Sequence, residues 1–227
     1  MSTVLGIDCS SRKTNAGLVV DGNIIGEINL DLGREQSSRL PFIIEQLLGF
    51  HHMGLNSIDR IAVTTGPGYF TGIRVGLSYA IALAEGIGVP VIPVGSLEVL
   101  STGTVSSGCG DIIMPVMWSS QTTVYSSASE STPSGLKSIL DPGTYTPAFI
   151  LSFISDLRSS PILVSPDIEK VSKILPDLAD AIVHSGVTGG AVALTGYKNF
   201  NRSLDPVEVK ATYFREPDIG RPKKPLV

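Results

Sequence analysis

The sequence predicts a mixed α/β protein that opens with three antiparallel strands and then alternates helix with strand. Three observations carry this prediction. Short apolar runs bounded by turn residues stand at 3–7, 16–20 and 24–32. Leu40, Ile43, Ile44, Leu47 and Leu48 then recur at i, i+3, i+4, i+7 and i+8, one apolar helical face. Beyond them a strand at 60–65, a second helix and a strand at 90–94 complete a βββαβα order.

The elements follow in turn. Asp21-Gly22-Asn23 is a tight hairpin signal between the second and third strands. Ser37 or Ser38 is expected to cap the first helix, with Pro41 in its first turn and Gly49 or Gly54 at its end. Gly66-Pro67-Gly68 breaks the chain, and Thr71 is expected to cap the second helix, which runs to about Gly86. Residues 100–135 differ in texture: serine and threonine abound, and Asp111 and Glu130 are the only charges. Within them 112–117 and 122–128 read as a hairpin. A helix at 146–157, a strand at 162–165, a glycine-weakened helix at 186–200 and a last strand at 207–214 follow. The expected organisation is an N-terminal subdomain over 1–100, a smaller α/β subdomain over 101–219 that can pack back on the first, and a flexible tail over 220–227.

Composition bounds the function. Only 17% of the 227 residues are charged and 42% are hydrophobic, with a net charge of −4. A chain of this size buries roughly 70% of its surface on folding, so it needs neither disulfide nor metal to hold it. The acidic balance argues against an extensive nucleic-acid surface, which takes a basic footprint. Two cysteines, Cys9 and Cys109, make no disulfide framework and read as reduced thiols of a cytoplasmic protein. The N-terminus lacks the basic and apolar regions of a signal peptide. The most apolar stretch, 75–95, is interrupted by Glu85, Pro90, Pro93 and several glycines, which argues against a membrane span.

Two loops could carry chemistry. Asp8-Cys9-Ser10-Ser11 ends the first strand; its acid, hydroxyls and backbone N–H groups could face a phosphate, or simply hold a strand-end turn together. Gly66, Gly68 and Thr71 lie in a strand-to-helix corner that could bind an anion, dock a partner, or merely meet a demanding backbone path. It is not a Walker loop, since the lysine is missing. His51 and His52 diverge by about 100° on a helix and His184 stands apart, so no metal set is expected. Cys9 has no visible base partner, and no G-x-S-x-G stands in the chain.

The second helix is apolar nearly all round. Ile73, Gly76, Leu77, Ala80, Ile81 and Ala84 form one face; Val75, Tyr79, Ala82, Leu83 and Gly86 form another. One face can cover the chain's own sheet. The other needs a second domain or another chain, and spacing alone does not say which face is which.

The segments VLGIDCSS, REQSSRLPFIIEQLL, TTGPGYFTGIRVGLSYAIALAEG and GVPVIPVGSLEVL resemble the bacterial TsaB (YeaZ) family, as does DPVEVKATYFREPD near the end. The resemblance is strong over 1–100 and patchy beyond. It implies the actin-like, Hsp70 and sugar-kinase (ASKHA) fold, with a ribonuclease-H-like N-terminal subdomain and a reduced second α/β subdomain. It implies a non-catalytic scaffold for threonylcarbamoyl transfer to adenosine in ANN-decoding tRNAs. The partners implied are a TsaD-like catalytic subunit and a TsaE-like ATPase, with a homodimer when the chain is alone and no cofactor of its own. The implied interface uses the two N-terminal helices, through Leu40, Ile43, Ile44, Leu47, Ile73, Leu77, Ala80 and Ala84. On this reading Asp8, Ser10, Ser11, Gly66, Gly68 and Thr71 form vestigial anion loops.

Departures from the family pattern sharpen this. TsaD carries a His-x-x-x-His metal pair in its first long helix; Gln36 and Leu40 occupy those positions here. The family's Asp-Ala-Arg-like middle turn is replaced by Trp118-Ser119-Ser120-Gln121. The alternatives are a small ATP-binding enzyme using Asp8 and the Gly66–Gly68 corner, and a metallopeptidase, the family's older label. Lys223 and Lys224 in the tail read as a solvated end or a minor tRNA contact.

Overall fold

The computed structural model describes residues 2–104 and 108–215. The expected tail at 220–227, with Lys223 and Lys224, lies outside the described residues. Strands β1 (Thr3–Asp8), β2 (Lys13–Val20), β3 (Asn23–Asp31), β4 (Arg60–Gly66) and β5 (Val91–Gly95) form one sheet in the order β3-β2-β1-β4-β5. β1, β2 and β3 pair antiparallel, whereas β4 and β5 join parallel to β1 and to each other. Each parallel step is spanned by a helix, as parallel strands require. Helix α1 (Gln36–Phe50) lies between β3 and β4, α2 (Phe70–Ile87) between β4 and β5, and α3 (Ser96–Gly103) after β5.

The second half repeats this plan. Strands β6 (Ile112–Trp118), β7 (Val124–Thr132), β8 (Gly135–Tyr145), β9 (Ile162–Ser165) and β10 (Ile182–His184) form a sheet ordered β10-β9-β6-β7-β8, with the same antiparallel and parallel pairings. Helices α4 (Pro147–Ser155), α5 (Ile168–Ile174) and α6 (Gly189–Lys198) occupy the places of α1, α2 and α3. The strand set is therefore complete. The reduction lies in the helices: α4 and α5 have 9 and 7 residues where α1 and α2 have 15 and 18.

The two halves exchange their last helices. α3 reaches β6 and β7 of the second sheet while still packing on β4 and β5 of the first, and α6 packs on β1, β2 and β4 of the first. α6 lies so close that backbone meets backbone: a Cβ on Gly17 would run into Gly189 and Gly190, and one on Gly189 into Ala16. Three apolar layers result. α1 and α2 cover one face of the first sheet with Leu5, Ile7, Leu40, Ile44 and Ile61. α3 and α6 fill the middle with Ile92, Leu97, Leu100 and Val192. α4 and α5 cover the outer face of the second sheet with Met114, Val116, Ile150 and Val171.

The serine-rich texture has a structural cause. α3 is only 8 residues long, and beyond it the inner face of β7 and β8 borders an open groove of about 930 Å³ lined by Ser127, Ser129, Ser131 and Ser138. Hydroxyls suit a sheet face that no helix covers.

Several expected boundaries are corrected. Neither Ser37, Ser38 nor Thr71 caps a helix: Glu35 and Tyr69 stand at the cap positions without a side-chain cap bond. α1 starts earlier, at Gln36, whose side-chain amide donates to the carbonyls of Ser11 (2.9 Å) and Lys13 (2.8 Å), and Pro41 falls in the second turn. Gly88, in the left-handed region at φ 71°, ends α2. The expected last strand at 207–214 is not one. Pro206–Glu208 is a short 3-10 turn, and the extended segment after it makes one backbone bond, Thr212 N–H to the Thr65 carbonyl (2.8 Å). β8, β10, α3 and α5 were not expected, because they are short or lack a clean apolar period.

Candidate docking face and cleft

Helix α2 divides cleanly. Gly72, Ile73, Gly76, Leu77, Ala80 and Ala84 are buried against the first sheet. Arg74, Ser78, Ala82 and Glu85 are exposed, and Val75, Tyr79, Ile81 and Leu83 are half-buried. On α1, Leu40, Ile43, Ile44 and Leu47 are buried, whereas Phe42 is 54% and Phe50 72% exposed. All eight residues expected at the interface thus belong to the chain's own core. The sheet needs one apolar face from each helix, and the regular i, i+3, i+4 face is the one it takes. The side of the helix pair left open to solvent is the opposite one. A groove of about 530 Å³ there is lined by Ser37, Leu40, Phe70, Thr71, Arg74, Val75, Ser78 and Tyr79. The Arg74 guanidinium lies 3.8 Å from the centre of the Phe70 ring, and the Tyr213 ring packs against Phe70, tilted, at 5.1 Å.

The second feature is a cleft of about 240 Å³ between the halves, lined by residues of both, including Ser10, Ser11, Lys13, Gly68, Tyr69, Trp118, Ser119 and Asp167. Asp8 stands behind this cleft, fully buried. Its Oδ1 accepts from the Ser10 N–H (2.9 Å) and the Thr64 hydroxyl (2.6 Å), and its Oδ2 from the Asn15 amide (2.8 Å). Asn15 also donates to the Val187 carbonyl at 2.9 Å. Asp8 therefore fastens β1, β2, β4 and the approach to α6 to one another. Asp8→Ala would leave three buried donors unpaired, and at about 1 kcal/mol or more each the fold should lose about 3 kcal/mol in urea unfolding.

The other loop candidates separate. Ser10, Ser11 and Gly68 line the cleft, and the hydroxyls of Ser10 and Ser119 are buried without a protein partner. Gly68 and Gly72 let the corner close on the first loop, where a Cβ would meet the carbonyls of Ser10 and Cys9. Tyr69 N–H seals this contact by donating to the Ser10 carbonyl at 2.7 Å. Gly66 packs instead against the Thr212 carbonyl, and Thr71 belongs to the docking groove. The Trp118-Ser119-Ser120-Gln121 turn is closed by hydroxyls, with Ser120 Oγ 2.7 Å from Thr123 Oγ1.

Sequence reasoning missed Lys170. It reaches from α5 across the cleft mouth, donates to the Tyr69 hydroxyl at 3.0 Å and lies 4.8 Å from the Trp118 ring. No motif marks it, since α5 itself was not expected. Cys9 is buried and Cys109 exposed. Burial, with Asp8 adding to it, pushes the Cys9 thiol up to about 12 from 9.0. The neutral thiol is thus favoured by folding: its contribution is complete below pH 9 and is lost as the pH rises toward 12. Native alkylation at pH 8 should modify Cys109 alone, and both thiols only after unfolding.

Two sheets of ribonuclease-H-like order, with exchanged terminal helices and a cleft between them, define an actin-like α/β protein. Residues 31–129 match the family model described as TsaD, tRNA N6-adenosine threonylcarbamoyltransferase. The chain is 35% identical over 99 residues to a "tRNA threonylcarbamoyladenosine biosynthesis protein TsaB" of Haemophilus influenzae, covering 44% of this chain and 42% of that protein. It is 34% identical over 104 residues to a tRNA N6-adenosine threonylcarbamoyltransferase of Pyrobaculum aerophilum, covering 40% and 30%. These matches thus span less than half the length of those relatives. The solved structure of YeaZ from Pseudomonas aeruginosa superposes with a TM-score of 0.77 at 18% identity, covering 94% of this chain and 100% of that one. In the sequence of its N-terminal half and in the fold of nearly its whole length, the chain is similar to proteins named TsaB or YeaZ. Among the described residues no helix is long and apolar enough to cross a membrane.

Proposed function

We propose that this chain is a non-catalytic docking subunit of the cytoplasmic machinery that makes threonylcarbamoyladenosine in tRNA. It seats a TsaD-like catalytic subunit on the outer face of α1 and α2, works with a TsaE-like ATPase, and pairs with a second copy through the same face when alone. The observation that carries this reading is the apolar outer side of those two helices: Val75 and Tyr79 line a groove, Leu83 is half-buried and Phe42 is exposed. An apolar patch of this kind on a folded chain marks an interaction site. The two positions that resemble TsaD's metal-binding pair support a non-catalytic role. Gln36 is spent on backbone carbonyls and Leu40 is fully buried.

The ATP-binding alternative is less well supported, because both Asp8 oxygens are already occupied by the protein's own donors. Co-expression with a TsaD-like subunit tests the docking reading. Co-purification of the two supports it; a chain that stays apart from that subunit, and monomeric at high concentration, overturns it.

A further inference from the structure

The chain passes between the halves after α3 and again before α6, and then a third time near its C-terminal end. Val209 and Ala211 join the apolar layer under α1 and α2, and Thr212 bonds to Thr65 at the end of β4. The next three residues cross over. Tyr213 stays on the first half, its ring tilted against Phe70 and its hydroxyl 3.4 Å from Arg74 Nε. Phe214 turns to the second half, its ring 6.3 Å from Tyr125 and its carbonyl accepting from the Thr144 hydroxyl at 3.2 Å. Arg215 donates to the Ser119 carbonyl at 3.2 Å.

Tyr213 thus holds the first half, while Phe214 and Arg215, where the chain bends, hold the second. Phe70 and Arg74 line the docking groove, whereas Tyr125 and Ser119 line the cleft. A second tie starts from the same place: Tyr69, next to Phe70, holds Lys170 of α5.

We propose that residues 209–215 form a strap coupling the α1–α2 docking face to closure of the cleft, so that a partner on the face and the width of the cleft bias each other. The backbone between Tyr213 and Phe214 is a single peptide unit, so the groove end cannot shift without pulling on the cleft end. Linkage makes the effect reciprocal: closing the cleft favours the docked state as much as docking favours closure. The partner in this statement rests on the function proposed above; the coupling itself is a property of the chain.

The test is a distance measurement by pulsed electron paramagnetic resonance across the cleft. Spin labels are placed at Lys13→Cys and His184→Cys, both exposed positions on the cleft rim, in a Cys109→Ser background. Tyr213→Ala removes contacts made only with the first half, yet it should add longer distances across the cleft, as Phe214→Ala does. Amide exchange at Thr212 should quicken about tenfold in Tyr213→Ala, the loss expected for one aromatic contact. Tyr213 is 42% exposed, so the variant keeps its fold, which a thermal melt verifies. Distances in Tyr213→Ala identical to those of the unsubstituted strap overturn the coupling, even if Phe214→Ala widens the cleft.

Adding a TsaD-like subunit should narrow the distances in the intact strap and not in Phe214→Ala. Binding that leaves the cleft unchanged overturns the proposal. Should that subunit not bind at all, the docking function fails, while the distances in the isolated chain still decide the coupling.

Discussion

Tyr79→Glu is expected to weaken docking of a TsaD-like subunit by at least about 30-fold, the loss typical of a central interface residue, with little change in thermal stability. Tyr79 is half-buried on the outer side of α2 and lines the groove. A carboxylate there can reach water in the free chain but must be stripped of it in a complex. Leu47→Glu makes the informative contrast. Leu47 is 2% exposed and packed in the layer between α1 and the first sheet. An unpaired charge in such a site costs about 3–5 kcal/mol, a large part of the 5–15 kcal/mol that holds an ordinary domain together. Both variants should fail in a pull-down, but only Tyr79→Glu should keep the melting curve. Equal melting curves would mean that the buried and open sides of the helix pair have been assigned the wrong way round.

Gly17→Ala is expected to be strongly destabilising. The added methyl has no room, because the backbone of Gly189 and Gly190 occupies its place. Overpacking of this kind costs about 1–3 kcal/mol where side chains can yield, and backbone yields less readily. The loss should therefore exceed about 3 kcal/mol and loosen α6 from the first sheet. Gly49→Ala should do the opposite. Gly49 lies inside α1, and a methyl added there would meet nothing within 4 Å. Alanine is favoured over glycine in a helix by about 1 kcal/mol. Urea unfolding midpoints of the two variants should move in opposite directions. A stable Gly17→Ala would show that α6 can be displaced at low cost.

Much of the first half was legible because its elements are long and regular. β1, β4 and β5 are short apolar runs closed by turn residues, and α1 and α2 repeat their apolar positions over successive turns. The second half was harder to read. β8 mixes Lys137, Ser138, Asp141, Pro142 and Gly143 because it is an edge strand with little to bury. α5 is 7 residues long, too short for a period to show. The candidate site was legible as a region and not as a surface. Two apolar faces on α2 were visible in the sequence, but a helical wheel carries no information about which face meets the sheet.

By itself, then, the sequence determined the order of the N-terminal elements, the apolar excess of α2 and the two loops that flank the cleft. These are local properties, set by residue type and by repeats of two or of three to four residues. Tertiary structure alone decided that Asp8 turns inward, that α3 and α6 change sheets and that residues 209–215 tie the halves together. Each depends on groups far apart in the chain: Asn15 bonded to Val187, Thr65 to Thr212, Ser119 to Arg215. Such pairings follow from the packing of whole sheets and helices, because a buried carboxylate or an extended segment takes whichever donors and acceptors the assembled fold brings to it.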